Sequence, residues 1–182
     1  MFDTKYLLWG IGAFLLYMVT TSDVKAEDAP NGIPGKVWRW KDDVERIADN
    51  VGFPYDTDWV LAQYWQESGG DPTAKPPGGG AGEVGLPQMT QIALDDVKDY
   101  FPDLASDLPN NVSGLEGKPM KQIKAGLLYD RANHERARQK GLSNPVQQAV
   151  RAHVEGPPPN TSASDNYWTL VSGNYESIKQ AT

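Results

Sequence analysis

Chemistry in this chain has to come from oxygen side chains. Its 182 residues include no Cys and only two His, His134 and His153, which excludes thiolate nucleophiles, disulfide staples and a His-rich zinc site. We therefore expect no metal and no other cofactor. Among the carboxylates, Glu67 has the setting that suits catalysis. Val60, Gln63 and Tyr64 precede it by seven, four and three residues, so on a helix it lies on or beside the stripe that must be buried. A carboxyl held against apolar side chains is disfavoured in its charged form, which is the condition a general acid needs near neutral pH. The alternative is a solvated glutamate at a helix end.

The elements around Glu67 read as helices. Val37, Trp40, Val44, Ile47, Ala48 and Val51 recur at three- and four-residue steps ahead of Gly52, which predicts an amphipathic helix over 37–51 with a glycine stop. Asp56 or Thr57 can cap a second helix running to about Ser68, ended by Gly69-Gly70 and Pro72. Residues 73–89 are rich in Gly and Pro and read as a loop or short hairpin, with strands conceivable only over 76–89. Thr90 to Tyr100 reads helical. Lys118-Pro119 opens a long helix to Lys140, closed by Gly141, and Asn144-Pro145 opens another that ends at Gly156-Pro157. The expected class is mainly α, with no internal repeat.

Before this region, Tyr6 to Val19 carries no charge. Extended to Thr21, it would span about 24 Å as a helix, short against a hydrocarbon layer of about 30 Å. It reads either as a signal peptide within 1–26, cleaved after Val24-Lys25-Ala26, or as an apolar anchor helix touching the membrane through 6–21. In both cases the remainder faces the exterior of a cytoplasmic membrane. Residues 27–36 have linker composition, and 37–182 form the expected domain. The net charge of −7 weighs against nucleic acid, whose binders gain affinity by neutralising phosphates with Lys and Arg.

Three segments follow one another along this helical frame: Gln66-Glu67-Ser68-Gly69-Gly70-Asp71-Pro72, Gly85-Leu86-Pro87-Gln88-Met89 and Ala152-His153-Val154-Glu155-Gly156-Pro157. They resemble the ordered motifs of soluble-type lytic transglycosylases, relatives of goose-type lysozyme, which run E-S-x-x-(N/D)-P, G-L-M-Q and A-Y-N-A-G-P. The first matches closely. The second has Pro87 where Met is usual, and the third has His153 and Val154 in place of Tyr and Asn. The resemblance covers about 37–157.

It implies a lysozyme-like α-helical domain with at most a small β-hairpin, and an enzyme that cleaves the β-1,4 bond between N-acetylmuramic acid and N-acetylglucosamine in peptidoglycan. Glu67 would protonate the leaving oxygen and then, as a base, take the proton of the muramyl 6-hydroxyl as a 1,6-anhydro ring closes. The substrate's N-acetyl group would stabilise the oxocarbenium-like state, as in substrate-assisted glycosidases. Ser68 would orient Glu67 or the substrate. Gly85, Leu86 and Gln88 would line the glycan groove, Gln88 offering both an amide donor and an acceptor. His153 would stand where the family's Tyr meets the catalytic carboxyl. A neutral imidazole could hydrogen-bond Glu67, whereas an imidazolium would hold it ionised, so activity is expected to fall on the acid side near the reference pKa of about 6.5.

The small size suits a local wall-opening part of a phage virion or an envelope-spanning secretion machine, acting on the periplasmic side. Two other readings stay open. Glu83 could activate water as a second carboxylate, giving lysozyme-like hydrolysis. Alternatively, the substitutions at His153 and Val154 could mark a glycan-binding or structural module that kept the groove and lost turnover.

Overall fold

Trp40, expected inside the first helix, instead breaks it. The computed structural model describes residues 29–75, 82–156 and 161–182, and here the predicted 37–51 helix is two helices, α1 (Gly35–Trp38) and α2 (Lys41–Val51). At the break the Trp40 indole turns inward and its Nε1–H donates to the Gly70 carbonyl at 2.9 Å. Val37, Val44, Ile47, Ala48 and Val51 are buried as their spacing requires, and Gly52 ends α2 in the left-handed region.

The next elements follow their sequence signals closely. α3 is Asp58–Ser68, α4 Gln91–Tyr100, α5 Pro119–Gln139 and α6 Pro145–Glu155, with a 3₁₀ turn at Val112–Leu115 between α4 and α5. Asp56 caps the first turn of α3 by accepting from the Asp58 amide at 3.0 Å. Thr90 accepts from the Ala93 amide at the start of α4, and Asn144 from that of Gln147 at the start of α6. Both α5 and α6 have Pro in their first turn. The expected hairpin reduces to one antiparallel bridge, Val84 with Met89. The chain is mainly α, and no strand occurs among the described residues.

One element was not foreseen. α7 (Ser162–Ala181) opens with Thr161 accepting from the Ala163 amide. Its sequence is full of Ser, Asn, Thr and Gly, whose intrinsic helix preference is poor. Burial of Ser164, Tyr167, Val171 and Ile178 along one face holds it against α3 and α6. The long helix α5 is the centre of the bundle, packed by α2, α4 and α6, and its Ile123, Leu127 and Leu128 are fully buried.

The apolar stretch 6–21, the cleavage point after Ala26, the Gly-rich run 76–81 and Pro157 of the third motif lie outside the described residues. Among the described residues, no helix is long and apolar enough to cross a membrane.

The end of α3 is clamped by Gly70. Its φ is +78°, and a Cβ there would lie 2.3 Å from the Lys36 carbonyl oxygen, so only glycine lets the turn after α3 press against α1. Gly69, also left-handed at φ +60°, faces open space. Gly69→Ala should therefore cost only the left-handed strain, about 1 kcal/mol. Gly70→Ala adds a backbone overlap and should cost about 3 kcal/mol or more. Thermal unfolding of the two variants side by side checks this; equal losses would contradict the clamp.

Candidate active site

The last turn of α3 brings Glu67 to the edge of a buried polar cluster. Its side chain is 17% exposed, low enough to be framed by protein and high enough to meet a ligand. Tyr64, one turn earlier, is buried, and its hydroxyl reaches the Ile123 carbonyl at 3.5 Å. Gln63 is buried beside it and points its amide at Asp130 of α5, 3.5 Å away.

Opposite Glu67, α6 presents His153. Its Nε2 lies 2.8 Å from the Pro87 carbonyl oxygen and 3.9 Å from Glu67 Oε1, while Nδ1 lies 3.2 Å from Asp130 Oδ1. The Pro87 carbonyl oxygen can only accept, so Nε2 carries a proton; opposite an ionised Asp130, Nδ1 carries one as well and the ring is an imidazolium. Burial disfavours that charge, but the Asp130 carboxylate, Glu67 and the Pro87 carbonyl outweigh it and raise the His153 pKa to about 9. This overturns the expectation that His153 would titrate near 6.5. Through neutral pH it is a cation, and its charge change belongs on the alkaline side. Both nitrogens are also spent on protein partners, leaving no free donor for a substrate.

Three tyrosine hydroxyls border the same cluster. Burial, with help from Asp130, pushes the Tyr55 and Tyr64 hydroxyls well above their ordinary value. Tyr167 on α7 is pushed up by burial and then by the Glu67 carboxylate that it faces. Its hydroxyl is buried and faces Glu67 and Gln63. All three remain protonated and can serve only as neutral partners near the acidic groups.

The other sequence-predicted residues fall into two sets. Ser68 does not face Glu67: its hydroxyl donates to the Tyr64 carbonyl at 3.0 Å and accepts from the Gly70 amide at 3.2 Å, closing the end of α3. Gly85 and Leu86 face the core rather than a groove; Leu86 is fully buried. At Gly85, with φ +71°, a Cβ would sit 2.2 Å from the Gln122 amide. Gln88 keeps some surface, but its Nε2 is occupied by the Gly85 and Ala74 carbonyls at 2.7 and 3.1 Å. Beside it a depression of about 240 Å³ is lined by Gln88, Ile92, Tyr129, His153 and Val154. Glu83 stands on the loop before the Val84–Met89 bridge, and no described hydrogen bond or ion pair joins it to Glu67 or His153.

Three residues that hold this arrangement had not been singled out. Gln122, fully buried on α5, accepts from the Leu86 amide at 3.1 Å and donates to the Pro72 and Leu115 carbonyls, each at 3.0 Å. One side chain thus ties the segment after Glu67 to the Pro87 loop. Asp130 charges and orients His153, and Tyr167 faces Glu67. The signal for the first two was present: Gln122, Gly126 and Asp130 follow at four-residue steps, a polar stripe on a helix otherwise flanked by Ile123, Leu127 and Leu128. Gly126 leaves room on that stripe, since a Cβ there would lie 3.1 Å from both the Tyr64 hydroxyl and Pro87 Cβ. Among the described residues no cluster could hold a metal ion.

Comparison with family models, curated proteins and solved structures finds no match to this chain.

Two outcomes follow from this geometry. Gln122→Leu strands the Leu86 amide and two carbonyls and should cost about 3 kcal/mol, read by denaturant unfolding; a loss below about 1 kcal/mol would contradict the role of Gln122 as a tie. For His153 the folded pKa of about 9 lies above the ordinary 6.5. Its contribution to stability is therefore complete below about 6.5 and lost as pH rises through about 9. Unfolding midpoints should fall over that window in wild type and not in His153→Gln; parallel curves would contradict the charge assignment.

Proposed function

We propose that the chain is a peptidoglycan lytic transglycosylase with a lysozyme-like helical domain and Glu67 as its catalytic acid and base. The observation that carries this reading is the placement of Glu67, part-exposed at the rim of a cluster that is otherwise buried, between the imidazolium of His153 and the hydroxyl of Tyr167. Solvent-facing access on one side and fixed polar partners on the other are what proton transfer to a bound glycan requires. The ordered resemblance of the three motifs supplies the substrate class: glycan strands of N-acetylmuramic acid and N-acetylglucosamine.

In this reading Glu67 protonates the glycosidic oxygen as the bond to C1 breaks. The carboxylate so formed then takes the 6-hydroxyl proton as O6 closes on C1. A second carboxylate is unnecessary, and Glu83 has no described link to the site. The domain would act on the wall side of a cytoplasmic membrane, exported or tethered through residues 6–21, as part of a phage virion or an envelope-spanning secretion machine. One observation favours a second reading, a glycan-binding module without turnover: both nitrogens of His153, at the position of the family's Tyr, are taken by Pro87 and Asp130.

Release of soluble muropeptides from purified sacculi separates the two. Wild type should release them, Glu67→Gln should lose about 10²–10⁴-fold in rate, and Glu83→Gln should change the rate by less than about threefold. Equal losses at both positions would favour a two-carboxylate hydrolase. Absence of release by wild type would favour the binding module.

A further inference from the structure

Asp130 sits in the one place where a charge is hardest to keep. It is 2% exposed, midway along the central helix α5, with Leu127, Leu128 and Tyr129 just before it. A carboxylate there needs a partner, and its oxygen Oδ1 has two: Nδ1 of His153 at 3.2 Å and the more distant Gln63 amide. The His153 ring is then held edge-on between Asp130 and the Pro87 carbonyl, with its Nε2 side turned towards Glu67.

We propose that Asp130 is a positioning residue for Glu67, acting through His153: it fixes the ring as a doubly protonated clamp on Pro87 whose positive end stabilises the carboxylate formed when Glu67 gives its proton to the leaving oxygen. The proposal rests on the reading of Glu67 given above and adds the group that acts on it. Electrostatic help aimed at charge that develops during the reaction lowers the barrier. The pair does this without adding net charge, since the Asp130 carboxylate balances the imidazolium and leaves the cluster negative when an oxocarbenium-like sugar forms beside it.

Loss of the Nε2 proton would undo both functions. The nitrogen would present a lone pair to the Pro87 carbonyl oxygen at 2.8 Å, an unfavourable contact, and the positive end near Glu67 would vanish. The groups that face the ring are few. Glu67 approaches from α3, Asp130 and Tyr129 from α5, the latter at a centroid distance of 5.8 Å, and Tyr167 from α7, stacked at 6.2 Å; the Pro87 loop contributes its carbonyl. The two carboxylates favour the charged ring and the tyrosines remain neutral, so the ring loses its proton only on the alkaline side.

The test joins a binding-free readout to a kinetic one. Nitrogen-15 NMR of the His153 ring follows its protonation in the full chain, and muropeptide release from sacculi at constant ionic strength gives the pH profile. In wild type both ring nitrogens should carry protons at pH 7, and kcat should take an additional downward step where the NMR titration falls. Asp130→Asn should move both downward together by one pH unit or more, with kcat changing more than KM. His153→Gln keeps a donor for Pro87 but no charge; it should retain a reduced rate and show no such additional step up to about pH 9.

A singly protonated ring at pH 7 overturns the proposal. So does a wild-type kcat profile with no step where the ring titrates, which decides the matter even if Asp130→Asn does not fold. A step in release that stays at the same pH in a folded Asp130→Asn overturns the proposal alone. If wild type releases nothing at any pH, the proposal and the reading of Glu67 fall together.

Discussion

A carboxylate 2% exposed in the middle of a 21-residue helix has to be compensated within hydrogen-bond reach, and in this chain that requirement draws four segments together. Asp130 on α5 takes His153 from α6, His153 takes the carbonyl of Pro87 from the loop after the Gly-rich run, and the same ring faces Glu67 at the end of α3. A well-packed apolar group of similar volume would stabilise a core as well or better than such a pair. The pair therefore makes most sense as a device that fixes where a charge stands and which proton sits on which nitrogen.

Around that pair, neutral ties set the distances. Gln122 joins the Leu86 amide to the Pro72 and Leu115 carbonyls, so the loop carrying Pro87 and the turn after Glu67 share one anchor. Gly70 lets that turn meet α1, where the Trp40 indole and the Arg39 guanidinium donate to its carbonyl. Gly126 lets Pro87 and Tyr64 approach α5 closely. These are contacts that tolerate little change in volume, because the interior is packed like a solid. The result is a rigid frame in which Glu67 is the carboxylate left at the rim.

Much of this frame was legible in the sequence where a local signal sufficed. The Asn144-Pro145 start and the Gly52 and Gly69 stops each depend on one or two residues, and helix ends were therefore found within a residue or two. Trp40 shows the limit: its spacing fits a continuous helix, but a hydrogen bond to Gly70, thirty residues away, breaks the helix. α7 was hidden for a related reason, since Ser, Asn and Gly disfavour helix locally and only the buried face of Tyr167, Val171 and Ile178 overrides them. At the site, residue types pointed to Glu67 and His153, but the charge of His153 could not be read without Asp130, twenty-three positions earlier. Leu86 and Gly85 were expected at a groove because a motif gives order along the chain, whereas only the fold says which side of the loop faces in.

The central claim is that one carboxyl serves first as acid and then as base on the same sugar, with the 6-hydroxyl as the nucleophile. The direct measurement is the mass of the soluble muropeptides that the full chain releases from purified sacculi. The account predicts 1,6-anhydro ends, one water lighter than reducing ends, as the principal product throughout the digestion. Reducing ends from the earliest times would mean that water attacks instead, and would contradict it.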